Sequence, residues 1–304
     1  MTPFAFFLIL ASAGLHATWN MIAKKSGASL AFYTFLGAMG FAWSQFIRLF
    51  TPIHFFALPP AFHLWLAGML VGEFCYAFGI RLAYRSLDMS TAYPMMRSIP
   101  LLLLAGITSL LGLGKPLTLH AVTGMAMVFA GCLAIPLRTF ADFKPSRYFD
   151  RSFGYIMLVA IGTTIYTLCD SQAQRVMLDY VHAGGVTISK PLVSLTYYCF
   201  RAATLWPALC IVTACGATSR AEAAELWRHR SWMPIVAGVC SSLTYVLVLV
   251  SMNFVSNVSY VQAFRQIGLL FGLLEGVFIL KERCTAPKVL GVILIMAGLA
   301  VSVL

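Results

Sequence analysis

The chain is poor in charged residues, and acidic residues are the scarcest. Asp and Glu together number 10 against 21 Lys and Arg, in a chain of 304 residues of which only 10% are charged. With 60% hydrophobic residues and a mean hydropathy of +0.86, the composition predicts an integral membrane protein. Little of the chain is left for a soluble catalytic or binding domain.

The sequence also lacks the motifs of common catalytic and metal sites. It contains no phosphate-binding loop, HExxH pair, nucleotide fingerprint or nucleophile triad, so we expect no enzyme activity and no ATP-driven transport by this chain alone. The eight cysteines are scattered without a CxxC pair, so we expect no disulfide framework, zinc site or other cofactor. The net charge of +11 comes from residues in short loops, which indicates membrane orientation and no nucleic-acid partner.

The apolar stretches predict an all-α membrane protein with ten transmembrane helices. Their predicted bounds are about 4–22, 30–50, 61–82, 90–112, 117–137, 153–174, 192–214, 232–252, 258–280 and 286–304. The first stretch lacks the basic segment that opens a signal peptide, and it is interpreted as the first spanning helix.

The two halves of the chain resemble each other. With an offset of 167 residues, Gly124 aligns with Gly291 and Gly131 with Gly298. Because each half holds five spans, an odd number, the second half must enter the membrane from the opposite side. The sequence therefore predicts two inverted five-helix repeats around a central cavity, at 1–137 and 153–304, joined by a basic loop at 138–152.

The final helix pair carries a family resemblance. FGLLEGVFILKERCTAPKVLGVILIMAGLAV resembles the C-terminal signature of the EamA-type drug/metabolite transporters, and AYRSLDMSTAYPMMRSIPLL resembles their third-to-fourth helix region. Lys115-Pro116 stands in the first half where the second half has Glu282-Arg283. The resemblance covers essentially the whole chain, and it implies the inverted-repeat fold and export of small metabolites, often amino acids.

The charge distribution and the resemblance disagree on orientation. Most basic residues fall in loops on one side of the membrane, whereas the other side collects only Arg48, Lys115, Arg175 and Lys190. The positive-inside rule then places both termini outside the cytoplasm, whereas the family is drawn with cytoplasmic termini. Both orientations stay open, and we expect a multi-pass protein of the cell (inner) membrane that acts as a monomer.

Two arginines lie where an apolar span should hold none. Arg97 and Arg265 are each about seven residues inside a span, roughly 10 Å deep at 1.5 Å per residue. Tyr93 shares the helix face of Arg97, and Gln262 and Gln266 share that of Arg265. Such residues line cavities or pair with one another. Arg97 is interpreted either as a ligand for an anionic substrate group or as the structural partner of a carboxylate such as Glu73.

The remaining polar candidates lie on the first, third and sixth spans. Glu73 is a candidate ion-coupling residue because apolar surroundings favour its neutral form, although an ion pair explains it equally. Asp170 is the second candidate, and it aligns with Asn20 in the repeat. Tyr76 shares a helix face with Glu73, and Tyr166 shares one with Asp170. Trp19 and Asn20 share a face with His16 on the first span. These four residues, Trp19, Asn20, Tyr76 and Tyr166, are further substrate-binding candidates. His16, Arg201 and Glu275 are interpreted as structural.

Together these features predict a secondary transporter that moves a small polar metabolite by alternating access. The arginines favour cargo that is amino-acid-like or bears a carboxylate, phosphate or phosphonate group, with protons as a candidate coupling ion. Substrate, direction and coupling ion are not fixed by the sequence. The alternative is a polytopic enzyme acting on lipid headgroups, for which His54 and His63 around a Pro-rich loop are the only candidates.

Overall fold

The computed structural model describes residues 2–26, 29–86, 89–113, 116–135, 137–144, 153–185, 187–271 and 285–302, with only the backbone at 24, 25, 81, 84–86 and 89–95. This described part of the chain is helical and contains no strand. The helices are α1 Pro3–Lys25, α2 Leu30–Ser44, α3 Pro60–Ser86, α4 Met89–Leu110, α5 Leu119–Ala134, α6 Phe153–Ala183, α7 Lys190–Cys215, α8 Ala217–Arg228, α9 Met233–Met252, α10 Val258–Phe264 and α11 Ala286–Val301. Short 3₁₀ turns occupy Gln45–Leu49, Phe55–Ala57 and Phe140–Asp142.

Several helices begin at a hydroxyl residue that caps them. The Ser29 side chain accepts a hydrogen bond from the Phe32 N–H at the start of α2, and the Ser189 side chain accepts one from the Leu192 N–H at the start of α7. Each cap satisfies one of the N–H groups that the first helical turn leaves without a partner. The sequence therefore sets these helix starts locally.

The helices have the length and composition of membrane spans. Six of the described helices are long and apolar enough to cross a bilayer: Pro3–Ala23, Leu30–Leu49, Pro60–Ile80, Phe153–Ala183, Lys190–Cys215 and Met233–Met252. Large apolar side chains such as Phe7 and Ile211 are exposed on them, as lipid-facing residues are. The chain is an all-α integral membrane protein.

The described residues cluster into two compact units, and each unit draws on both halves of the chain. The first unit comprises Met1–Phe6, Ala67–Ser171 and Phe254–Leu304. The second unit comprises Phe7–Leu66 and Gln172–Asn253. The division into two repeats around 138–152 concerns sequence copies and stays a prediction.

In the first unit, α5 and α11 pack backbone to backbone at four glycines. A Cβ built at Gly131 would lie 2.5 Å from Gly291 O, and one built at Gly291 would lie 2.8 Å from Gly131 O. Gly124 and Gly298 face each other in the same way. Small residues allow this close approach, which is a common way for helices to associate in membranes. The sequence-equivalent glycines contact crosswise: Gly131, the equivalent of Gly298, meets Gly291, the equivalent of Gly124.

Glycines also join α3 to α6 within the first unit. A Cβ at Gly72 would lie 2.6 Å from Tyr166 N, and one at Gly162 would lie 2.6 Å from Tyr76 N. This close contact brings the two tyrosines together, with ring centroids 5.8 Å apart in an edge-to-face arrangement. The glycines on these helices thus position two of the candidate site residues.

In the second unit, α2 packs against α7 and α9. Trp43 of α2 stacks on Tyr198 of α7 with ring centroids 5.4 Å apart, and its Nε1 donates to Ser242 Oγ of α9 at 3.0 Å. At the C-terminal end of α9, Asn253 Nδ2 donates to Gln174 Oε1 at 3.0 Å and to Ser194 Oγ at 2.7 Å. Buried polar groups are thus paired across three helices, which fixes their register.

The observed helices differ from the predicted spans at several positions. α6 continues to Ala183, beyond the predicted end at 174. α8, which spans Ala217–Arg228, was not predicted because its charged residues place it outside the apolar stretches. The last part of the ninth predicted span, from 272 onward, lies outside the described residues.

Candidate functional site

The ninth predicted span is not one continuous helix. α10 ends at Phe264, residues 265–266 form a turn, and residues 267–271 are helical again. At this break the Gln266 N–H donates to Ala263 O at 3.0 Å, three residues back, and no longer to Gln262 O four residues back. The break therefore leaves the Gln262 carbonyl free to accept from another donor.

A polar clasp formed by Arg97, Gln262, Arg265 and Gln266 joins this break to α4. Gln266 Nε2 donates to Gln262 O at 3.2 Å, so the side chain replaces the backbone donor that the break removes. The same nitrogen donates to Arg97 O at 3.0 Å, and Arg97 Nη2 donates in return to Arg265 O at 3.4 Å. The two chain segments are thus linked in both directions, side chain to backbone.

The clasp is buried. Gln266 is 0% exposed, Gln262 3% and Arg265 8%, while Arg97 is half-buried. Within the described part of the chain, the Arg265 guanidinium makes no hydrogen bond or ion pair, and neither Gln262 Oε1 nor Gln266 Oε1 accepts a hydrogen bond. A buried charge in an apolar bundle is costly unless it is paired. The clasp therefore contains a cationic donor and two amide acceptors that have no partner among the described residues.

A hydroxyl pair lies on the same two helices as the clasp. Thr108 Oγ1 of α4 and Ser259 Oγ of α10 are 3.1 Å apart, and both side chains are buried. Sequence reasoning missed this contact because single Thr and Ser residues are common in membrane helices. Thr108 lies well beyond Arg97 along α4, and Ser259 precedes Arg265 by more than one helical turn. The hydroxyl pair is therefore a second link between α4 and α10, separate from the clasp.

Two prolines of α4 do not break it. Pro94 and Pro100 each lack a backbone donor and can loosen a helix. α4 is nevertheless continuous from Met89 to Leu110, and the break lies at Arg265–Gln266 in the ninth predicted span. No proline marks that position, so the sequence carries little signal for it beyond the cluster of polar residues.

The candidate carboxylates lie in the first unit, on α3 and α6. Glu73 is half-buried, whereas Asp170 is 0% exposed. Tyr76 and Tyr166 meet edge to face between these helices, while the side chain of Tyr93 lies outside the described residues.

Trp19 and Asn20 belong to the second unit, where they bond to their own helix. Trp19 Nε1 donates to His16 Nδ1 at 3.1 Å, and Asn20 Nδ2 donates to His16 O at 2.7 Å. These bonds orient the two side chains from within α1. The role of both residues in substrate binding stays a prediction.

The second unit also contains a buried arginine. Arg201 is the residue that the sequence analysis interprets as structural. In the structure it is 6% exposed, and its guanidinium lies 4.2 Å from the centroid of the Tyr245 ring. The arginine thus takes part in a cation–π contact inside the unit. Glu275 and the Glu282-Arg283 pair lie outside the described residues.

The comparisons with known proteins concern the fold. No family model matches the chain, and no curated protein matches it. A solved structure, described only as the crystal structure of a protein, is similar with a TM-score of 0.68 and 16% sequence identity over 99% of this chain and 96% of that chain. At that identity the similarity shows a shared fold over the whole length and nothing about activity.

Proposed function

We propose that this chain is a secondary transporter that binds a small anionic metabolite at the polar clasp and moves it across the membrane by alternating access. The Arg265 guanidinium is the observation that carries the proposal. It is a full positive charge on a residue that is only 8% exposed, with no counter-ion among the described residues. On insertion scales such a charge costs about 2.5–3.5 kcal/mol, which a bound anion offsets.

The neighbouring groups support an anion at this position. The guanidinium of Arg97 lies against the backbone carbonyl of Arg265, so a second positive charge stands beside the break. Broken helices are typical of transporter binding sites, where the backbone leaves its regular pattern around a solute. Cargo bearing a carboxylate, phosphate or phosphonate group matches the planar fork of an arginine.

For the architecture we propose ten membrane spans arranged as two inverted five-helix repeats. The crosswise glycine contact between α5 and α11 supports this arrangement. When residue i of one copy meets residue j of the other and j meets i, the two copies are related by a two-fold axis. Gly131 with Gly291 and Gly124 with Gly298 follow that rule on two helices that match in sequence.

The same proposal places the chain among the EamA-type drug/metabolite transporters, on the sequence resemblance of its final helix pair. It follows that the protein is an exporter in the inner membrane, acts as a monomer and takes amino-acid-like cargo. Glu73 or Asp170 then couples export to protons.

Reconstituted protein tests the proposal. Proteoliposomes should take up labelled amino acids or phosphonates, and the uptake should saturate. Arg97→Ala and Arg265→Ala should each abolish uptake at near-normal expression, and lysine at either position should restore it poorly, because an ammonium cannot donate two parallel hydrogen bonds. Arg220→Ala is the control, since Arg220 is an exposed arginine that bonds to Ala214 O. Uptake that is absent for every anion, or unchanged in both variants, would refute the proposal.

A further inference from the structure

Each glutamine amide of the clasp has a donor end, Nε2, and an acceptor end, Oε1. Gln266 Nε2 donates to two carbonyl oxygens, Arg97 O and Gln262 O. Because only the nitrogen end of an amide can donate, these bonds fix the orientation of the Gln266 side chain. Its Oε1 is therefore held on the other side, and among the described residues it accepts no hydrogen bond although it is completely buried.

Gln262 carries a second acceptor of this kind. It lies in the last turn of α10, four residues before Gln266, and its Oε1 is also buried without a donor in the described part of the chain. Buried acceptors that lack a partner are rare in proteins, and each one needs a reason. Two of them lie within three residues of Arg265 in the chain, and the Arg265 guanidinium has no counter-ion among the described residues. This combination indicates a site that is complementary to a molecule with both an anionic group and a hydrogen-bond donor.

We infer that Gln262 and Gln266 are specificity-determining residues whose amide oxygens accept hydrogen bonds from an N–H or O–H group of the cargo, adjacent to the anion at Arg265. The inference rests on the proposed function and adds a selection rule to it. A cargo without the donor leaves both acceptors unpaired, as they are in the described structure, and gains neither hydrogen bond, so the site binds it more weakly. Plain carboxylates and alkylphosphonates are thereby disfavoured.

Pairs of probes that share the anionic group and differ only in the hydrogen-bond donor test the effect of the donor on binding. Alanine and isobutyrate have the same shape, with an ammonium group in the first where the second has a methyl group. Aminomethylphosphonate and ethylphosphonate form the same pair on a phosphonate. For the purified parent protein, we expect the member with the ammonium group to bind at least about tenfold more tightly in each pair that binds, a difference of about 1.4 kcal/mol.

Gln262→Met is the diagnostic variant. The Gln262 side chain makes no hydrogen bond to any described residue, so its replacement by a side chain of similar length removes none that the structure shows. We expect the variant to bind the ammonium-bearing probe about tenfold more weakly and the methyl-bearing probe within about twofold of the parent, so that the preference collapses. Thr108→Val is the matched control, because it removes the buried hydroxyl link to Ser259 and should leave the preference intact.

The outcomes distinguish the inference from the proposed function. If no probe of either pair binds, the proposed function is wrong. The inference about the glutamines is wrong if both members of a pair bind equally to the parent protein, or if Gln262→Met weakens the binding of both members equally. In either case the proposed anion site is not contradicted. Binding can be measured by titration calorimetry in detergent, and thermal stability of each variant without probe establishes that it is folded.

Discussion

The glycine contact between α5 and α11 gives the sharpest test of the packing. A Cβ built at Gly131 would lie 2.5 Å from Gly291 O, whereas ordinary contact begins at 3.4 Å. In Gly131→Ala the two backbones must therefore move apart by about 0.9 Å, which is the difference between 3.4 Å and 2.5 Å. Overpacking of this kind costs about 1–3 kcal/mol, and a backbone atom cannot rotate away as a side chain can.

Helix propensity acts in the opposite direction and must be subtracted. Alanine is favoured over glycine in a helix by about 1 kcal/mol. Gly106 of α4 provides the control, because a Cβ there meets nothing within 4 Å. Gly106→Ala should therefore stabilise the protein by up to about 1 kcal/mol, and Gly131→Ala should be less stable than Gly106→Ala by about 1–3 kcal/mol.

Thermal unfolding of the purified protein in a single detergent measures this difference. We expect the Tm of Gly131→Ala to lie several degrees below that of Gly106→Ala. Gly291→Ala should behave like Gly131→Ala, since its Cβ would lie 2.8 Å from Gly131 O. Should Gly131→Ala melt at or above Gly106→Ala, the close backbone contact, and with it the crosswise arrangement, would be refuted.

Two further predictions concern the charged residues outside the clasp. Glu73→Gln fixes the neutral form of the side chain, so we expect it to keep cargo binding and lose accumulation driven by a pH gradient; unchanged accumulation would move the coupling role to Asp170. Arg201→Gln removes the charge that lies 4.2 Å from the Tyr245 ring, and it should lower the Tm while leaving cargo selectivity unchanged, since a desolvated cation–π contact is worth about 2 kcal/mol. A changed selectivity in Arg201→Gln would show that its role is not structural.

The sequence predicts the membrane character and the positions of most helices because hydropathy is a property of long stretches. Twenty apolar residues have few structural options, and errors of a few residues at the ends do not change the result. α8 escaped prediction for the same reason, since a polar helix of twelve residues leaves no hydropathy signal. The repeat alignment singled out Gly124, Gly131, Gly291 and Gly298, but spacing alone does not say which helix a glycine meets.

The clasp shows what sequence reasoning can and cannot provide for a site. The cost of burying charge singled out Arg97 and Arg265, and helix periodicity added Gln262 and Gln266. Periodicity assumes a regular helix, however, and the break at 265–266 is the feature that lets the Gln266 side chain reach a carbonyl of its own helix and one of α4. Such a break depends on tertiary partners for the freed backbone groups, and no local pattern encodes those partners.

Counterflow across proteoliposomes with Arg265→Met tests the central claim most directly. Methionine keeps much of the length of the arginine side chain and removes its charge, so the variant isolates the buried guanidinium. We predict that the parent protein exchanges external labelled alanine or aminomethylphosphonate for the same internal unlabelled compound without ATP, and that Arg265→Met, folded to the same Tm within a few degrees, shows no exchange above empty liposomes. Exchange at the parent rate by the folded Arg265→Met variant would contradict the assignment of this arginine as the anion site.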